Sequence, residues 1–120
     1  MTIKYQTVAL LEPDPDILTL YEISLQEFGY SFKGFTDSPS LLEFIHKNPN
    51  HIKLLLIEYH FGGKLTGCQL ADIVNSIDPN IRMAFLTGYH AVKDNRLELE
   101  IIMKPITLTR LLKLVKKYMD

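Results

Sequence analysis

The sequence predicts an α/β domain built on a doubly wound, five-stranded parallel sheet with helices on both faces. Three observations point there. Short apolar runs lack the polar alternation of a half-exposed strand, as expected for strands covered on both sides. Segments of helical spacing separate these runs throughout the chain. Four of the runs end on a polar residue: Glu12, Glu58, Thr87 and Lys104.

The elements follow in order. Thr7–Leu11 reads as a first buried strand that breaks at Glu12-Pro13-Asp14-Pro15. Asp14 before Pro15 is a helix start, because Asp accepts from free amides and Pro at the first helical position loses no hydrogen bond. Ile17, Leu20, Tyr21, Ser24, Leu25 and Phe28 then keep helical spacing, with Gly29 as the stop. Tyr30–Phe35 is a short second strand. Ser38-Pro39 repeats the capping logic before a helix carrying Leu41, Leu42, Phe44 and Ile45, which stops near Asn48-Pro49.

The central strand is Lys53-Leu54-Leu55-Leu56-Ile57-Glu58, closed by Gly62-Gly63. A helix from Thr66 to Ile77 places Leu70, Ile73, Val74 and Ile77 on one face, and Asp78-Pro79-Asn80 turns the chain. Ile81–Leu86 is the fourth strand, ending at Thr87-Gly88. Tyr89–Leu97 holds few apolar residues, so the fourth helix is expected to be short or irregular. Leu99–Met103 is the fifth strand, ending at Lys104-Pro105. Thr107 caps a last helix with Leu108, Leu111, Leu112 and Val115 inward.

A chain of 120 residues is expected to form one domain with a real core. Its net charge of -1 supplies no global field toward nucleic acid or an anionic membrane. One cysteine, Cys68, excludes an intrachain disulfide and suits a reducing compartment; its simplest place is in the core. The first residues lack the apolar stretch of a secretory leader, and no run is long enough to span a bilayer. A cytoplasmic location is the expectation.

In open α/β sheets, sites form outside the carboxyl ends of the strands, where the strand order reverses. With the order 2-1-3-4-5, Glu12 and Glu58 face each other across that crevice, and Thr87 and Lys104 stand beyond them. Asp14 adds a second acid near Glu12. The competing reading is an ion pair and a helix cap with no further role. Charged groups gathered at a switch point favour a shared site.

These residues carry a resemblance. Val8-Ala9-Leu10-Leu11-Glu12-Pro13-Asp14-Pro15-Asp16-Ile17, Leu55-Leu56-Ile57-Glu58-Tyr59-His60, Phe85-Leu86-Thr87-Gly88 and Met103-Lys104-Pro105 resemble, in this order, the receiver domains of two-component response regulators. The likeness spans essentially the whole chain and implies the flavodoxin-like, chemotaxis-regulator-like fold. In that family an aspartate on the third strand accepts a phosphoryl group from a histidine kinase. An acid pair after the first strand holds magnesium, and a threonine or serine and a lysine bind the phosphoryl oxygens. The metal and the lysine offset the charge that develops during transfer.

The sequence departs from that pattern at decisive places. Glu58 occupies the phosphoacceptor position. Pro13 replaces the second acid of the pair, so magnesium binding is expected to be weak, since that ion demands near-octahedral oxygen ligands. Glu58 carries its carboxylate about 1.5 Å further out than aspartate would, one carbon–carbon bond. A misplacement of about 1 Å can cost roughly a hundredfold in rate. Asp14 could supply a replacement ligand, although a helix cap is its better-supported role. By the same resemblance Thr87 and Lys104 keep the switch and phosphate-binding positions. Ile101 stands where the family places its aromatic switch residue; Tyr89 could stand in, although a surface-packed tyrosine is its better-supported reading, and the Thr87–Lys104 interval is shorter than usual.

Three functions follow. The first is a phosphorylation-independent pseudo-receiver, a protein–protein interaction module without catalysis, taking no cofactor. The second is a phosphorelay receiver that still accepts phosphate with magnesium despite Glu58 and Pro13. The third is a flavodoxin-like small-molecule binder, disfavoured because Glu12-Pro13-Asp14-Pro15-Asp16 offers acids and two prolines in place of phosphate-binding amides. The resemblance implies a protein partner, a histidine kinase or a downstream effector. It also implies oligomerisation through the face of the fourth helix, fifth strand and last helix. No direct nucleic-acid or membrane partner is expected. Any output passes through such a partner or through further chain beyond these residues. Arg110, Lys113, Lys116 and Lys117 form a basic side on the last helix, read as a solvated face with docking to an acidic partner as the alternative. His60 and His90, with Glu12 and Glu58, are a weaker candidate for a transition-metal site.

Overall fold

The computed structural model describes residues 6–88 and 92–120. Five strands form one parallel sheet in the order β2-β1-β3-β4-β5. They are β1 (Thr7–Leu11), β2 (Ser31–Phe35), β3 (Ile52–Glu58), β4 (Arg82–Thr87) and β5 (Glu100–Met103). Among the described residues four helices cover it: α1 (Pro15–Glu27), α2 (Ser38–Lys47), α3 (Gly67–Ile77) and α4 (Leu108–Met119). The doubly wound architecture and the strand order agree with the sequence reading. The strands β2, β4 and β5 each begin one residue later than expected, and β4 includes Thr87.

The alternation of the strands sends residues to two cores. On one face Ala9, Leu11, Leu55, Ile57 and Phe85 meet Leu41 and Ile45 of α2 and Leu70, Ala71 and Val74 of α3. On the other, Val8, Leu10, Leu54, Leu56 and Leu86 meet Leu25 of α1 and Leu111, Leu114 and Val115 of α4. Every residue of β1 is buried, and all of β3 except Lys53, which is why these strands read as unbroken apolar runs. Cys68 is buried among the first set, as expected.

Helix ends follow local chemistry. Asp14 is the N-cap of α1, its Oδ1 accepting from the Asp16 amide at 2.9 Å. At the other end the Gly29 amide donates to Gln26 and the Tyr30 amide to Leu25, with Gly29 at φ +86°. That paired arrangement needs a left-handed residue, which glycine supplies without strain. The cap of α2 is a correction: Asp37, not Ser38, accepts from the Ser40 amide, at 2.7 Å. A carboxylate one residue earlier reaches the third amide, and Ser38 and Pro39 become the first two helical residues. Thr66 and Gln69 form a reciprocal capping box on α3, and Thr107 caps α4.

Two further features qualify the sequence reading. Of the six residues at helical spacing along α1 and its end, only Leu25 is buried, while Ile17, Leu20 and Phe28 are exposed. Helical spacing aligns apolar residues but does not supply the layer that covers them. Between β4 and β5, described residues 92–99 contain no helix. Asp94 and Glu98 adopt positive φ, and the Asn95 side chain both donates to and accepts from the Leu99 backbone at 3.0 Å. Val92, Leu97 and Leu99 pack this segment onto the α2–α3 core. Tyr89, His90 and Ala91 lie outside the described residues.

Candidate functional site

The register of the sheet assembles the site. Leu11 pairs with Ile57, so Glu12 follows β1 beside Glu58, the last residue of β3. Glu58 pairs with Leu86, and Thr87 pairs with Met103, so Lys104 leaves β5 beside Thr87. Backbone hydrogen bonds hold these ends together. The amides of Glu12, Tyr59 and Lys104 donate to the carbonyls of Phe35, Leu86 and Thr87, at 2.9, 2.8 and 2.8 Å. The four polar strand ends therefore meet at one edge.

Their side chains form a charged bridge. Lys104 Nζ donates to Glu58 Oε2 at 2.5 Å. Glu58 and Lys104 stand on strands separated by β4, about 10 Å apart at the usual strand spacing. Two long side chains close that gap, in front of the end of β4 where Thr87 is fully buried. The Glu58 side chain is 9% exposed and that of Lys104 30%, so the pair is shielded on its acidic side and open on its basic side. Burial alone would lower the Lys104 pKa. The hydrogen bond and charge of Glu58, with Glu12 and Tyr21 behind it, outweigh burial and hold the ammonium above the ordinary lysine value.

Glu12 is buried beside this pair, and its Oε1 accepts from the Asp14 amide at 3.1 Å. Desolvation pushes its pKa up; the Asp14 amide and Lys104 pull against it, Glu58 and Asp14 add to it, and the net direction is upward. Asp14 itself is exposed and gives its carboxylate to the amides of α1. Magnesium, which the resemblance implies, would need several oxygens converging on one point. Here Glu58 is taken by Lys104, Asp14 by the helix, and Pro13 has no side-chain ligand. Among the described residues no three acids, histidines or cysteines are disposed to hold a metal ion. The donor set does not fit a magnesium cage. His60 accordingly joins no metal cluster with Glu12 and Glu58, and His90 lies outside the described residues.

Tyr21 escaped the sequence reading as a site residue. It is half-buried on α1, and burial followed by the charges of Glu12 and Glu58 outweighs Lys104 and raises its phenol pKa. Its signal was faint, one aromatic within a stretch of helical spacing. After β3, Gly62 and Gly63 both take positive φ in the turn, and Tyr59 packs edge-on against Phe85 at 5.3 Å. Gly67 opens α3 directly beneath that ring; a Cβ there would lie 2.7 Å from Tyr59 Cδ1. Ile101 is exposed on the outer strand. The basic side of α4 is partly tied down: Lys117 Nζ and Tyr118 OH both donate to Glu100 Oε1, at 3.0 and 2.8 Å. Burial and that bond raise the Tyr118 phenol to about 12.

A parallel sheet with acid, acid, hydroxyl and lysine at successive carboxyl ends, with an ion pair reaching from β3 to β5 in front of β4, is the arrangement set beside known proteins. Over 115 residues the chain is 27% identical to the response regulator receiver protein CpdR of Brucella abortus (strain 2308), covering 92% of this chain and 93% of that protein. A response regulator receiver domain protein from Clostridium thermocellum superposes with a TM-score of 0.83 at 20% identity, covering 94% of this chain and 93% of the other. A CheY-like receiver domain protein from Methanospirillum hungatei JF-1 gives 0.83 at 21% identity, covering 97% and 94%. No family model matches the chain. The structural likeness establishes the shared fold. In fold and in the order of its site residues the chain is similar to response regulator receiver proteins.

Proposed function

We propose that this receiver domain signals without conventional aspartyl phosphorylation, as a protein–protein interaction module and not as an enzyme. The observation that carries the reading is the Lys104–Glu58 bond. In this reading Glu58 sets a permanent negative charge in front of Thr87, where the resemblance puts a phosphoryl group, and Lys104 neutralises it. The acceptor carboxylate is thereby committed, and the acids around it do not form a magnesium cage. The domain stays in one signalling state with no kinase input, taking no cofactor, and passes its effect to a protein partner in the cytoplasm. Among the described residues no helix is long and apolar enough to cross a membrane, which accords with that location.

Amide NMR tests the reading. Magnesium and acetyl phosphate added together should leave the resonances of Glu58, Thr87 and Lys104 in place. Shifts spreading from these residues, absent when magnesium alone is added, would return the domain to the phosphate-accepting class.

A further inference from the structure

We draw no further inference here: the strongest candidate, the apolar groove between α1 and α4 lined by Ile17, Leu20, Tyr21 and Leu108, carries none because nothing in the structure shows what covers it.

Discussion

Replacing Lys104 by methionine keeps most of the stem and removes the charge that Glu58 and Glu12 share. Glu58 is then a carboxylate with a 9% exposed side chain and no cation at 2.5 Å, beside a second buried acid. Removing one partner of a fully buried pair costs about 3–5 kcal/mol. Lys104 is nearly a third exposed, and water reaches its side of the pair, so a discounted cost of about 2 kcal/mol is appropriate. For a chain of this size that corresponds to a melting temperature lower by about 8 °C. The assay is thermal unfolding at neutral pH by circular dichroism, for the parent, Lys104→Met, Glu58→Gln and the double variant. The double variant should recover part of the loss, because a neutral amide in place of the Glu58 carboxylate strands no charge. Equal melting temperatures for parent and Lys104→Met at neutral pH would mean that the bridge contributes nothing to stability, contrary to its burial and geometry.

Three other outcomes follow from the same geometry. The Lys104 pKa is raised on folding, so its stabilising effect is complete below the ordinary lysine value and is lost as pH rises through the raised one; denaturant midpoints should fall in that alkaline range, and fall less in Lys104→Met. Glu12 has a raised carboxyl pKa, so the native state binds the extra proton and stability falls as pH rises from the ordinary carboxylate range through the raised value. Glu12→Gln, which keeps an acceptor for the Asp14 amide, should melt higher than the parent at neutral pH and equal to it in acid. Gly67→Ala should destabilise by about 1–3 kcal/mol in urea titration, because its Cβ would strike the Tyr59 ring at 2.7 Å and approach Phe85 to 3.2 Å.

Much of this was legible in the residues. Strands covered on both faces must be apolar throughout, so β1, β3 and β4 announced themselves, and the polar residue closing each run marked the site edge. Asp14 before Pro15 could be read as a cap because the geometry is local. What depended on distant packing was not legible. Nothing in Ile17, Leu20 and Ile23 distinguishes an apolar stripe that is covered from one left open. The choice between Asp37 and Ser38 as the cap turns on one residue of backbone geometry. Tyr21 reached the site, and Lys117 its bond with Glu100, only once two elements far apart in sequence were docked. The reach of Glu58 to Lys104 across β4 required both the register and two side-chain lengths.

Whether Glu58, bound to Lys104, stands in place of phosphate transfer in this receiver-like domain is decided by intact mass after incubation with magnesium and acetyl phosphate. Glu58→Asp, alone and combined with Pro13→Asp, is run in parallel. The parent should carry no phosphoryl adduct and the single variant little or none. The double variant should be modified, since acceptor length and metal ligand are then both supplied. A phosphoryl adduct on the parent that disappears in Glu58→Gln would contradict this reading, and would make the glutamate itself the acceptor.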